Sequence, residues 1–413
     1  MEDRLLPVEL AGNGTMPPAG AGGHEQSDAA ADSTHARDGS ADTLGGCPAT
    51  CPAPTTGAGT GTGVCANGAC GIACASVYPT LCSASSSCVD TTSDGKNCGA
   101  CGHDCLGGAC TSGQCQPVLL AQYTGNLTTI FVGAQDVYAT TDLGYIGRAN
   151  KDGSDLKPFA MPGFVFSGFQ GTSIVEDGDR AFFVWYGGMG IQLAYCSLSG
   201  CDATITPIGG LYTQFFAIDH LDHKIFWVDC SPTELWSAPT TATTTGAALP
   251  GGMLPSGSIG SRLFYTQGGI FLSNGDAVER LSTSGGSFAN VAGDTTSLTI
   301  LGANDSYIFL YDGTSIVYTT LPNGAGGPVM PLIATPNIDG HFAADDTSAY
   351  WLNQGVQTCE IANCAATTKA LPSHGGDIVE DVGIDDQAVY WGAGALDPAD
   401  INLDACAVWK LAK

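Results

Sequence analysis

The feature that most constrains this chain is a short aromatic and aliphatic segment that returns seven times after residue 116. Its copies read Val137-Tyr138-Ala139-Thr140, Phe182-Phe183-Val184-Trp185, Ile225-Phe226-Trp227-Val228, Leu263-Phe264-Tyr265-Thr266, Ile308-Phe309-Leu310-Tyr311, Ala349-Tyr350-Trp351-Leu352 and Val389-Tyr390-Trp391-Gly392. The aromatic second positions, 138, 183, 226, 264, 309, 350 and 390, lie 45, 43, 38, 45, 41 and 40 residues apart. Apolar runs of this kind, punctuated by Gly, Asp and Ser, read as core strands of a repeat.

The same companions recur around each core. A strand ending in an acidic turn comes before it, as in Phe216-Ala-Ile-Asp219 and Gly383-Ile-Asp385-Asp386. A third strand follows most of them, such as Tyr145-Ile-Gly-Arg148 or Ser315-Ile-Val-Tyr318. Four strands in about 42 residues is the content of one propeller blade. Fourth-strand segments occur at Val118-Leu-Leu-Ala121, Pro158-Phe-Ala160, Thr206-Pro-Ile208, Ala248-Leu-Pro250, Ala289-Asn-Val-Ala292, Pro331-Leu-Ile-Ala334 and Lys369-Ala-Leu-Pro372. The first of these precedes every core, and the last core is followed only by a third strand, Val408-Trp-Lys-Leu-Ala-Lys413. The expectation is an all-β, seven-bladed propeller over residues 116–413, with Val118–Ala121 completing the last blade; six or eight blades fit the count less well. Closing the ring in this way leaves only short, protected strand edges.

Composition agrees with short strands and tight turns: 58 glycines and a charged fraction of 13%. The net charge of −27 excludes nucleic acid as a partner, because a polyphosphate needs clustered Lys and Arg. Acidic surfaces serve solubility first and divalent cations second.

Twelve of the 18 cysteines lie between Cys47 and Cys115. That density suits an oxidising compartment, so the chain is expected to be extracytoplasmic, secreted or surface-attached. Met1 to Leu10 has neither the basic start nor the apolar stretch of an export signal, which points to a start that is trimmed or short. No stretch reads as a transmembrane segment. Residues 1–46, rich in Ala, Gly, Asp, Ser and Pro, read as a disordered tether. Residues 47–115 carry too little apolar mass to fold on packing alone, and disulfides are expected to staple them, with the connectivity open.

Two resemblances add to this. Cys88-Val-Asp90, followed by Asn97-Cys98-Gly-Ala-Cys101-Gly, resembles the cysteine-rich repeats of secreted and surface proteins of large-genome soil bacteria. Trp227-Val-Asp229 and Tyr350-Trp-Leu-Asn353 resemble the core strands of YWTD-type and TolB-like propellers. The YWTD family has six blades, so the count departs from it. Those families mostly bind proteins or peptides, and the resemblance implies a recognition role.

Cys98, Cys101 and Cys105, with Cys110 and Cys115, have spacing a zinc or iron–sulfur site could use, but an even cysteine count favours disulfides. Cys196 with Cys201 and Cys359 with Cys364 repeat one spacing at one blade position and are expected to close small loops between third and fourth strands. That leaves Cys230 and Cys406 to pair with each other. Asp219-His220-Leu-Asp222-His223 joins His to carboxylate as a metal or acid/base site would. However, Asp177, Asp179, Asp305, Asp345, Asp346, Asp385 and Asp386 share its repeat position, where Asp serves a turn.

Asp142, Tyr186, Asp229, Asp312 and Asn353 end or follow core strands at the channel mouth, the default ligand site, where the acids also brace the chain. Asp397, Asp400 and Asp404, or the trio Asp90, Asp94 and Asn97, could hold calcium, although no EF-hand spacing is present. Neither a nucleophile elbow nor a phosphate-binding glycine loop occurs. The sequence therefore leads to a non-catalytic module with no cofactor that binds protein, peptide or glycan. The alternatives are a propeller hydrolase or lyase with carboxylates or a metal at the mouth, and a structural component of the cell surface.

Overall fold

The computed structural model describes residues 51, 61–66, 69–82, 85, 87–141, 146–160, 174–187, 190–201, 205–209, 213, 215–230, 233–254, 263–274, 277–292, 298–321, 327–334, 341–372, 378–394 and 405–413. They fall into two compact units, one holding Gln116–Lys413 with Leu106–Gly108, the other holding the chain up to Cys105 with Ala109–Cys115.

Among its described residues, the smaller unit has three two-stranded hairpins, Thr62–Ala66 with Ala69–Ala73, Thr80–Cys82 with Ser87–Val89, and Cys110–Thr111 with Gln114–Cys115. Strands this short expose most of their side chains, and covalent bonds take the place of a core. Bridges join Cys51 to Cys70, Cys74 to Cys88, Cys82 to Cys101, Cys98 to Cys110 and Cys105 to Cys115, and Cys65 is also disulfide-bonded. Each closed loop of this size removes about 2–4 kcal/mol worth of freedom from the unfolded chain.

The larger unit contains seven four-stranded antiparallel sheets, the blades of a propeller. Blade one is Leu127–Val132, Asp136–Thr141, Ile146–Asn150 and Lys157–Ala160; blade two is Ile174–Asp177, Arg180–Gly187, Gly190–Ser197 and Thr206–Pro207. Blade three is Phe216–Asp219, Lys224–Cys230, Thr233–Pro239 and Ala247–Met253; blade four is Leu263–Thr266, Gly269–Asn274, Ala277–Leu281 and Ala289–Ala292. Blade five is Thr299–Ala303, Tyr307–Tyr311, Ser315–Thr320 and Met330–Ala334; blade six is Phe342–Ala344, Ser348–Leu352, Val356–Glu360 and Lys369–Ala370. Blade seven is Ile378–Ile384, Ala388–Gly394, Ala405–Ala412 and, as its outer strand, Val118–Thr124. First strands are neighbours from blade three through blade seven, and the first strand of blade seven lies beside that of blade one.

Two core assignments need correction. Leu263–Thr266 is the first strand of blade four, and the second is Gly269–Asn274. Blade four has a two-residue turn between two successive apolar strands, and apolar pattern alone does not tell the first from the second. In blade two the residue in register is Phe182, because Phe182 packs on blade three whereas Phe183 packs on blade one. The aligned aromatics are then 138, 182, 226, 271, 309, 350 and 390, spaced 44, 44, 45, 38, 41 and 40.

A blade has neighbours on both faces, which is why its second strand is apolar at every position rather than alternately. In blade three, Ile225 and Trp227 pack against blade two while Phe226 and Val228 pack against blade four. Phe271 likewise faces blade five, Phe309 faces blade six and Tyr390 faces blade one. Each fully buried aromatic contributes roughly 1.5–3 kcal/mol.

The seam where blade seven meets blade one is pinned at several radii. At the rim, Ala405–Ala412 pairs with Val118–Thr124, from Ala405 opposite Thr124 to Lys410 opposite Val118. Gly147 leaves room for the Tyr123 ring, and any side chain at 147 would collide with it. On the turn side, Lys151 Nζ lies 2.7 Å from Asp385, and Lys410 Nζ donates to the Lys151 carbonyl at 2.8 Å. At the inner strands, Asp381 accepts from the Ile130 N–H at 2.8 Å and the Thr129 hydroxyl at 2.6 Å.

Candidate functional site

Acidic residues between first and second strands hold turns, as their repeat position implies. Asp219 accepts from the Leu221 and Asp222 N–H groups, Asp345 from Thr347 and Ser348, and Asp385 from Gln387 and Ala388. Carboxylates at and beside these turns also tie blades together. Lys413 donates to Asp345 at 2.6 Å, and Tyr138 donates to Glu176 at 2.5 Å. Burial works against the charge on Asp345 and Asp385, but hydrogen bonds and the facing lysines outweigh it and hold both below the usual carboxylate value of 3.8. Burial, aided by Asp345 nearby, pushes the Tyr350 phenol up to about 12. Asp177 departs from the turn role: its carboxylate accepts from the Thr240 hydroxyl at 2.5 Å and meets two imidazoles of blade three.

The mouth expected from the sequence would lie at the opposite end of the sheets, where second strands finish. Asp229 is buried at the end of its strand, in register with Glu234. Asp312 accepts from the N–H groups of Thr314 and Ser315 at 2.8 and 2.7 Å. These bonds outweigh burial and lower its pKa, so Asp312 is an anionic turn brace. Asn353 sits in a turn closed by its N–H to the Gly355 carbonyl, and its own carbonyl accepts from Gln357. Each of the latter two acts inside its own blade. Tyr186 lies opposite Ile191 in blade two, but its side chain is outside the described residues. Asp142, Asp397, Asp400 and Asp404 are outside them as well.

Of the cysteine expectations, the Cys196–Cys201 and Cys359–Cys364 bridges are present, each beginning in a third strand. The expected Cys230–Cys406 bridge falls on Cys230, whose side chain is outside the described residues; Cys406 is fully buried. Sulfurs of Cys98, Cys105 and Cys115 cluster within 4.8 Å, as metal ligands would, yet all three are committed to disulfides. In the calcium trio, Asp90 accepts from Thr92 and Ser93, and Asp94 from Lys96 and Asn97, which spends their oxygens on local turns.

What sequence reading missed is a polar cluster on the inner strands. Thr129, Asp381 and His341 occupy blades one, seven and six, and Asp381 and His341 each stand four residues before a turn acid, Asp385 or Asp345. Asp381 Oδ1 accepts from His341 Nδ1 at 2.7 Å and from the Val382 N–H at 2.7 Å, while Oδ2 takes Thr129 and Ile130. Four donors fill the lone-pair sites of one carboxylate. The His341 side chain is 4% exposed. A His just before the first strand of blade six and an Asp in that of blade seven, each four residues before a turn acid, were the readable signal.

No family profile matches the chain, and no curated protein matches it. Solved structures similar to it include a chain of the nidogen/laminin complex (TM-score 0.40, 15% identity, covering 57% of this chain and 93% of that one). PorZ, a surface component of the type-IX secretion system of Porphyromonas gingivalis, matches with TM-score 0.45 and 13% identity over 68% of this chain and 43% of its own. The computationally designed Ika8 protein matches with TM-score 0.44 and 12% identity over 71% of this chain and 98% of its own. Among the described residues no helix is long and apolar enough to cross a membrane.

Proposed function

We propose that this chain is a non-catalytic recognition module of the cell exterior: a tether over residues 1–46, a disulfide-stapled neck over 47–115 and a propeller head over 116–413. The head would bind protein, peptide or glycan through the end of the sheets where the second strands finish, with Asp142, Tyr186, Asp229, Asp312 and Asn353 as the expected contacts. The reading rests chiefly on how the acid/base groups are used. The His341–Asp381 pair has the residue types of a catalytic dyad, but its carboxylate is saturated and its imidazole is shut away from solvent. General acid/base work needs a proton-transfer partner within reach of substrate. Turn carboxylates on the far side are likewise bound to backbone and to neighbouring blades. The many disulfides support an oxidising, extracytoplasmic setting.

The test is saturable binding of the labelled full chain to cell-envelope fractions and to peptide and glycan arrays, with product release followed in parallel. Binding without turnover, unchanged in His341→Gln, is the expected result. Turnover that disappears in His341→Gln would replace this reading with the enzyme alternative.

A further inference from the structure

Two bridges of the cysteine-rich unit lie against each other. Cys98 is joined to Cys110 and Cys105 to Cys115, and the sulfurs of Cys98, Cys105 and Cys115 stand within 4.8 Å of one another. Among the described residues this is the one such gathering of sulfurs. Both bridges run from the segment 98–105 to the hairpin Cys110–Thr111 with Gln114–Cys115. Within that hairpin Cys110 and Cys115 are directly opposed, because Ser112 and Gly113 take φ of 52° and 77° in its two-residue turn and so set the register. Opposed residues of an antiparallel pair are about 4.5–5.5 Å apart between Cα atoms, inside the span of about 4.4–6.8 Å that a disulfide bridges. The same four cysteines thus have a second pairing within reach, Cys98 with Cys105 and Cys110 with Cys115. Their accessibility differs: Cys98, Cys105 and Cys115 are buried and Cys110 is half-buried, so an external reagent meets Cys110 first.

We propose that these four cysteines form a thiol–disulfide exchange site, at which a small external thiol of the glutathione class isomerises the two bridges. The external thiolate attacks the Cys110 sulfur, makes a mixed disulfide there and releases Cys98 as a thiolate. Cys98 then attacks the neighbouring Cys105 sulfur, which forms Cys98–Cys105 and releases the Cys115 thiolate. Cys115 attacks the Cys110 sulfur across the hairpin, which forms Cys110–Cys115 and returns the external thiolate. Two protein bridges break and two form with no net oxidation, so the thiol acts as a catalyst. Placement sets this order: the freed Cys98 has a bridge beside it rather than solvent, and Cys115 has Cys110 opposite. In the present pairing both bridges cross from the hairpin to the segment 98–105, and after exchange neither does. The hairpin then loses its covalent clamp while every cysteine stays oxidised, and it is held by contacts such as the Gly113 N–H on the Thr92 carbonyl at 3.1 Å.

The experiment incubates the oxidised full-length chain with substoichiometric reduced glutathione, quenches in acid and maps the bridges by mass spectrometry. Peptides with Cys110 joined to Cys115 and Cys98 joined to Cys105 should accumulate with time, while total free thiol stays constant and Cys74–Cys88 keeps its pairing. With Cys105→Ser and Cys115→Ser together the relay has no acceptor, so one equivalent of glutathione should leave a mixed disulfide on Cys110 and no new bridge. The map of the parent chain decides the matter by itself, so the test stands even where the double variant does not fold. A map unchanged by glutathione, opening of Cys98–Cys110 without a Cys110–Cys115 bridge, or scrambling of all bridges at one rate overturns the proposal.

Discussion

The two units of this chain solve one problem in opposite ways. The cysteine-rich unit has strands of two to five residues, largely exposed, and is held by bridges that join residues 10 to 19 apart in sequence. Propeller blades have cores apolar on both faces, and their two described bridges each span only five residues. A bridge stabilises in proportion to the freedom it removes from the unfolded chain, and packing in proportion to the apolar area removed from water. The first unit therefore depends on redox state and the second on shape.

Reduction separates them most sharply. Dithiothreitol should abolish hydrogen-exchange protection across residues 61–115 while propeller amides stay protected; equal loss in both would show that the propeller also depends on its bridges. Next in size, Trp227→Ala should destabilise the propeller by about 3–5 kcal/mol, read as a shift in denaturant midpoint, and leave protection of the cysteine-rich unit unaltered. Asp381→Asn turns an acceptor into a donor facing filled donors and should cost about 1–3 kcal/mol in the same measurement.

Lys151→Gln, at a partly exposed pair, should cost less than about 1 kcal/mol. Its pH dependence has a fixed sign. Asp385 is held below 3.8 in the folded chain, so the pair contributes stability above pH 3.8 and loses it as pH falls through the folded value. Unfolding curves of Lys151→Gln and the parent should differ near neutrality and converge in acid, and a gap that widens in acid would contradict the pairing.

Blade number, strand order and ring closure were legible because repetition averages out local ambiguity. Blade four was misaligned because Leu263–Thr266 and Gly269–Asn274 are both short apolar strands, and periodicity alone cannot rank them. The bridges at Cys196 and Cys359 were legible from a repeated spacing. The Thr129–Asp381–His341 cluster was not, since it joins three blades: His341 stands 40 residues from Asp381 in the preceding blade, and Thr129, 252 residues away, reaches it only across the closing seam. Asp177 was read as a turn residue from its repeat position, and only packing against blade three shows its carboxylate turned toward two histidines.

The central claim is that the strand Val118–Thr124 belongs to blade seven as firmly as any strand belongs to its own blade. Native-state hydrogen exchange across Val118–Thr124 and Ala405–Ala412 tests it most directly. The paired amides should exchange with the free energy and denaturant dependence of the inner strands, in one global opening. Exchange of Val118–Thr124 by a separate, low-energy fraying, with the other six blades still protected, would contradict closure at this seam.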